Sequence, residues 1–313
     1  MVIVRGATLS AMAAAARLSR LGHEVTLMTE GAALGTGWSD DGPLLLPAAW
    51  RDLFKKSGAH LVTALNAAGL ELAAAPPAEH SLLDGTLFAL PSERGAQYRA
   101  VTAAFGADEA ARWRDLIDDL DDVWAAFRRH ALEGTAPVET AAHRSALWLD
   151  RTVDEVAERL RSPLAGLVRA LADDGGAPAL AALPLSVERT FGRWQLVDAE
   201  GAPQPSTRLA GLLAERLAER GVRVVEETEG AVDIDAVPPT GWRARTTSAE
   251  EWLGRVPVVG ADGVLRASAA SLAGPEPWAQ LGSAALAVYA LHERLTGEDP
   301  RPTNVDFRLP RLR

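Results

Sequence analysis

The chain opens with a change of hydrophobic period. Val2-Ile3-Val4 is an unbroken apolar run, residues 12–21 carry their apolar positions at helical spacing, and residues 25–28 are apolar again after Gly22-His23. That pattern predicts a buried strand, a helix, a turn and a second strand. Helices are also predicted over residues 48–57, with Trp50, Leu53 and Phe54 on one face, over 108–130, and over 206–220, where Gly221 stops the run. In the 108–130 segment, Trp113, Leu116, Ile117, Leu120, Val123, Trp124 and Phe127 recur three and four apart, with Asp118, Asp119, Asp121 and Asp122 on the other side. The acidic run lacks the glycine and spacing of a calcium loop and reads as a solvated helix face. Residues 81–90 predict a hairpin turning at Asp84-Gly85. Thr152 and Glu155 are spaced as a capping box, and Ser162-Pro163 ends that helix and opens another. Residues 222–225 predict a strand with 232–234 as its candidate partner, and 257–259 a further strand leading into Gly260-Ala261-Asp262-Gly263. A closing helix is predicted over 278–295.

Composition narrows the function classes. With 313 residues, 48% of them apolar, the chain can bury a sizeable core as one large domain or two. A net charge of −10, with no stripe of Lys or Arg, argues against nucleic acid or an anionic membrane as partner. The absence of cysteine excludes disulfides, thiolate metal sites and cysteine nucleophiles. The six histidines show neither H-x-x-H nor H-x-x-x-H spacing, so no metal site is expected. Ser10 and Ser271 lack a nucleophile-elbow context. No apolar run approaches the ~20 residues that span a bilayer. The first predicted strand begins at residue 2, which leaves no room for a signal peptide, and the cytoplasm is the expected compartment.

The candidate chemistry lies between the first strand and its helix. A dinucleotide fingerprint has G-x-G-x-x-G there; this chain has Gly6-Ala7-Thr8-Leu9-Ser10-Ala11. In the intact motif the first glycine makes the turn, the second lets the backbone approach a pyrophosphate on the helix N-terminus, and the third lets helix and strand pack. Gly6 keeps the turn and Ala11 is an accepted third residue, but Thr8 puts a β-branched side chain at the phosphate position. The ribose-binding carboxylate is expected near Thr29, and the acidic residue is Glu30, one place later.

The order of these segments resembles the FAD-dependent phytoene desaturase and amine oxidase superfamily, in particular its phytoene-dehydrogenase-like branch. Leu34-Gly35-Thr36-Gly37-Trp38 stands where that family has a Leu-Gly-Gly-Arg run under the flavin, and Gly42-Pro43-Leu44 through Trp50-Leu53-Phe54 looks like its Gly-Pro and following helix. Residues 187–194 resemble the segment before the family's Gly-Gly. Val232 matches the strand valine whose backbone meets the adenine, and Gly260-Ala261-Asp262 resembles the C-terminal Gly-Asp motif over the ribityl chain. The resemblance covers residues 1–60 well, 185–295 loosely and 60–180 mainly in layout.

It implies an α/β fold: a Rossmann-like FAD-type domain from residues 1–60 and 185–295, a reduced, largely helical second domain over 61–184, and a tail over 296–313. The implied cofactor is FAD, held by Gly6, Thr8, Ala11, Glu30, Gly35, Val232, Gly260 and Asp262. The departures fall on those same contacts. Thr8 replaces a glycine, Glu30 and Asp262 are out of register, and Thr36-Gly37 replaces Gly-Arg. The chain is also shorter than such relatives between Ile234 and Pro257.

Two functions remain open: a degenerate homologue with impaired or lost flavin binding, acting as a non-catalytic accessory or partner subunit; or a working FAD-dependent desaturase or oxidase on an apolar small molecule. No catalytic acid or base can be named. Trp38, Trp50, Trp194 and Trp278 lie in or beside the flavin-like segments and either line a pocket or fill it, and close packing favours filling. Residues 304–313 alternate Val305, Phe307 and Leu309 with polar neighbours, and four arginines follow from Arg301 onward. They read as a frayed terminus or as an arm that docks on a protein partner or a second copy of the chain.

Overall fold

A computed structural model of the chain describes residues 1–38, 42–82, 85–134, 137–260 and 262–301. Strands β1 (Val2–Arg5) and β2 (Val25–Met28) flank helix α1 (Leu9–Arg20). Helices α2 (Pro47–Ser57) and α3 (Leu61–Ala67) follow, then strands β3 (Leu70–Ala74), β4 (Ala78–Ser81) and β5 (Leu87–Leu90). Next come helices α4 (Arg94–Phe105) and α5 (Ala107–Phe127), the short helices α6 (Ala141–Ala146), α7 (Val153–Ala157) and α8 (Leu164–Arg169), and α9 (Leu183–Phe191). The chain continues through β6 (Trp194–Asp198), β7 (Pro203–Gln204), α10 (Arg208–Glu219), β8 (Arg223–Val225) and β9 (Ile234–Asp235). It closes with α11 (Ala249–Leu253), β10 (Leu265–Arg266) and α12 (Pro277–Thr296).

The fold is α/β. A parallel sheet of order β10-β9-β1-β2-β8 carries the N-terminal βαβ unit, and an antiparallel sheet β3-β6-β7 and the hairpin β4-β5 stand apart from it. Val232 falls outside the strands. The neighbouring strand β9 pairs with β1 and β10, so the expected pairing of 232–234 with the 222–225 strand is not formed. The strand β8 pairs with β2 instead. Ser81 stands opposite Leu87 as a hairpin requires, while Asp84 of the expected turn lies outside the described residues.

Helix α1 is buried on every side from Leu9 to Leu18, five of those residues being alanines. Alanine is the strongest helix former and its small side chain lets neighbours approach closely. Here α12, α10 and α2 pack directly on α1. Beyond this core lies a second one, centred on Trp113, Leu116, Ile117, Leu120 and Val123 of α5. The acidic side of α5 differs from expectation. Rather than facing solvent alone, Asp118 and Asp121 flank the buried guanidinium of Arg189 on α9, and Asp119 pairs with Arg159 at 2.7 Å. The predicted capping box forms: Thr152 Oγ1 accepts from Glu155 N–H at 3.2 Å, and Thr152 N–H donates to Glu155 Oε2 at 2.7 Å.

The turn after α1 is tied to the end of α12 by His23 Nε2 and His292 Nδ1, 2.8 Å apart. One ring must donate and the other accept, so protonating both breaks the pair. Desolvation, and then the nearby His292, lower the pKa of His23 below its ordinary 6.5. A base with a depressed folded pKa binds fewer protons folded than unfolded. Its stabilisation is therefore full above the unfolded value and is lost as pH falls from there through the folded value. The melting temperature should drop between pH 7 and pH 5.5, and His23→Gln should flatten that dependence; an unchanged slope in the variant would exclude the pair as its source.

Candidate nucleotide-binding crevice

The crevice expected of this topology lies at the carboxyl ends of β1 and its neighbours, outside the turn into α1. Gly6 makes that turn at φ +115°, and a Cβ there would lie 3.3 Å from the Ala236 carbonyl carbon and 3.3 Å from Val237 Cγ2. Thr8 is the N-cap of α1. Its hydroxyl accepts from the Ala11 N–H at 3.3 Å and donates to the Ala236 carbonyl at 3.1 Å. Ala11 itself is fully buried. The loop carrying Gly35 closes on this turn: Gly35 N–H donates to Ala7 O at 2.7 Å, and Thr8 and Thr36 form an isolated parallel bridge. Gly35 holds φ +84°, with room for a Cβ only 3.0 Å from Ala210 Cβ.

Glu30 adopts a left-handed conformation, φ +53°, and accepts from Arg5 Nε at 2.9 Å. Arg5 reaches Asp235 on the adjacent strand at 3.1 Å, so one guanidinium spans two carboxylates. The Glu30 hydrogen bond is the main cause of a raised Arg5 pKa. Thr29, where the ribose carboxylate was expected, is buried and bonds to the Val225 carbonyl through both its N–H (2.8 Å) and its hydroxyl (3.2 Å). Arg5 and Asp235 were missed by sequence reasoning. The available signal was a cation in the last position of the first strand, directly before Gly6, where a buried strand would continue apolar.

The C-terminal motif also resolves differently. Residues 257–259 enter the sheet only through an isolated Val259–Leu265 bridge, and the strand is β10, after Gly260 and Asp262. Ala261 lies outside the described residues. The residues that follow β10 are Ala267 and Ser268, both buried, so no carboxylate follows the strand as the Gly-Asp reading required. Asp262 instead forks onto Arg266, with 2.8 Å between Nη1 and Oδ1, and accepts from Val264 N–H at 3.1 Å. Arg266 holds the Asp262 carboxyl well below the usual carboxylate range. A Cβ on Gly260 would sit 2.0 Å from Arg266 Nη1, the mobile end of a long side chain. Val232 is half-buried, two residues before β9.

Among the tryptophans, Trp38 packs at a tilt on the fully buried Trp50, ring centres 5.3 Å apart, and Trp194 Nε1 donates to Phe191 O at 2.7 Å. Phosphate binding at a helix N-terminus needs free N–H groups and a tolerant approach. Here Thr8 occupies the approach and accepts the Ala11 N–H, while the charged groups at the strand ends bind one another. These residues depart from the glycine and the carboxylate with which the fingerprint holds a pyrophosphate and a ribose. Among the described residues no cluster of His, Asp or Glu could hold a metal ion, and no helix is long and apolar enough to cross a membrane.

No family model matches the sequence. Over 162 residues the chain is 33% identical to the hydroxyneurosporene desaturase of Cereibacter sphaeroides, covering 48% of this chain and 32% of that protein. Over that segment the chain is similar to part of a desaturase. It spans about a third, 32%, of the length of that curated relative. Among solved structures, putrescine oxidase bound to putrescine aligns over 71% of this chain and 50% of its own, with TM-score 0.44 and 16% identity. A Rab GDI from Plasmodium falciparum aligns over 71% and 57%, with TM-score 0.36 and 11% identity.

The capping role of Thr8 is measurable. Thr8→Ala should destabilise the protein by about 1 kcal/mol in urea unfolding, as loss of an N-cap hydroxyl does, and Thr8→Ser should be near neutral. Equal unfolding midpoints for wild type and Thr8→Ala would show that the hydroxyl does no capping.

Proposed function

We propose that this superfamily relative has given up flavin binding at the fingerprint and works by binding a protein partner or a second copy of itself. The observation that carries this reading is the hydroxyl of Thr8, which accepts the α1 N–H and bonds Ala236 where a pyrophosphate would lie. The Arg5 bridge between Glu30 and Asp235 supports it, since a ribose would have to displace an ion pair. Under this reading Gly6, Thr8, Ala11 and Gly35 are structural remnants of a cofactor site, and no residue is assigned to catalysis. Residues 1–60 with 185–295 act as the scaffold and 61–184 as the appended helical unit.

The second reading is a working FAD-dependent oxidoreductase on an apolar substrate. It is favoured by the 33% identity to a desaturase, which spans about half of this chain, 48%. In that case the isoalloxazine would supply the redox chemistry and the protein its orientation.

Flavin content separates the two. Protein purified from its native host should release less than about one flavin per ten chains on denaturation, read by absorbance near 450 nm. Stoichiometric flavin would establish the oxidoreductase reading. The binding role is tested through residues 302–313, which lie outside the described residues. Removing them should lower the solution mass if an arm holds copies together, or abolish co-purification of a partner. An unchanged mass and unchanged partners would remove the arm from the account.

A further inference from the structure

A cavity of about 420 Å³ lies away from the crevice, between the α5–α9 core and the segment from Ala244 to Trp278. That volume falls within the range of about 300–1,000 Å³ typical of small-molecule sites. Its walls are mostly apolar, among them Leu45, Phe127, Leu180, Val187, Trp252 and Trp278. Trp278 makes edge-on contacts with Trp124 and Phe127, ring centres 5.6 and 6.1 Å away.

The polar groups in the walls are unbalanced. Arg245 lines the cavity but is spent on Asp173 at 2.8 Å. Arg255 also lines it, and no carboxylate of the described residues lies within ion-pair distance. Its guanidinium bonds only backbone carbonyls, Ala244 at 2.6 Å and Ser271 at 3.3 Å, and its Nε has neither acceptor nor solvent. Trp278 Nε1 is likewise without an acceptor. Glu251, the opposite charge that acts on Arg255, makes no salt bridge with it, and a half-buried guanidinium beside apolar walls and unmet donors gains from an acceptor that completes its hydrogen bonds. Glu276 is the one acidic wall residue. Its side chain is exposed, and desolvation by its neighbours raises its pKa from the ordinary carboxylate value.

We propose that this cavity binds a small apolar carboxylate, its head on Arg255 and its hydrocarbon along Trp252, Trp278 and Leu180. The proposal does not depend on whether the crevice binds flavin, because none of the eight residues expected to hold FAD lines this cavity.

Trp252 and Trp278 report occupancy by fluorescence. Decanoate, decanol and decylamine, titrated below their micelle concentrations, share a tail and differ in head group. Decanoate should bind saturably and at least tenfold tighter than the other two. Arg255→Gln should weaken decanoate at least tenfold and leave decanol unchanged, which also shows that the variant is folded. Ala181→Phe, on the cavity wall, should abolish all three. Equal binding of the three ligands, a preference for decylamine, absence of saturation, or decanoate binding that survives Ala181→Phe would each overturn the proposal. If Arg255→Gln does not fold, the ligand order and Ala181→Phe decide it.

Discussion

Helix α1 fixes where everything else in the crevice must be. Ten consecutive residues, Leu9 to Leu18, are excluded from water, with α2, α10 and α12 against the helix. A helix packed on every side cannot shift along its axis without opening voids, which a close-packed interior resists. The position of its N-terminus is therefore set by packing far from the crevice. What happens at that terminus is then decided by one residue. A glycine at position 8 would leave the N–H groups facing outward, whereas Thr8 turns its hydroxyl onto the Ala11 N–H and the Ala236 carbonyl.

The same constraint reaches across the sheet. With β1 held by α1, Arg5 emerges at the strand end, half-buried. Glu30, two residues past β2, and Asp235 in β9 meet it from either side of β1. Glu30 makes this contact from a left-handed backbone, φ +53°, which is uncommon for a non-glycine residue. Helix cap, loop bridge and ion pair are thus neighbouring internal contacts at the carboxyl end of β1, and under the proposed reading they form a closure in the place of a dinucleotide. Farther along the sheet, Asp262 and Arg266 close on each other in the same way.

Local signals made much of this legible from sequence. The βαβ opening, the α5 periodicity and the Thr152–Glu155 box all depend on neighbours within a few residues, and all are present as predicted. What failed depended on long-range pairing. Nothing near Val232 announces that the strand beginning at Ile234 will join β1, 230 residues away in the chain as measured between Arg5 and Asp235. The apolar run at 257–259 looked more strand-like than Leu265–Arg266, yet the latter supplies the edge strand because its backbone continues the β9 register. The acidic residues of α5 were read as solvated because their partner, Arg189, lies 68 residues from Asp121. The substitution at Thr8 was visible at once, but its consequence required knowing that Ala236 would stand within hydrogen-bond reach.

Calorimetric titration of the purified full-length protein with FAD tests this closure most directly, because it asks whether the ligand can displace Thr8 and the Arg5 ion pairs. The account predicts no saturable heat up to about 100 µM FAD, a threshold of about 5.5 kcal/mol of binding free energy. Stoichiometric binding with a dissociation constant in the low micromolar range or tighter would contradict it.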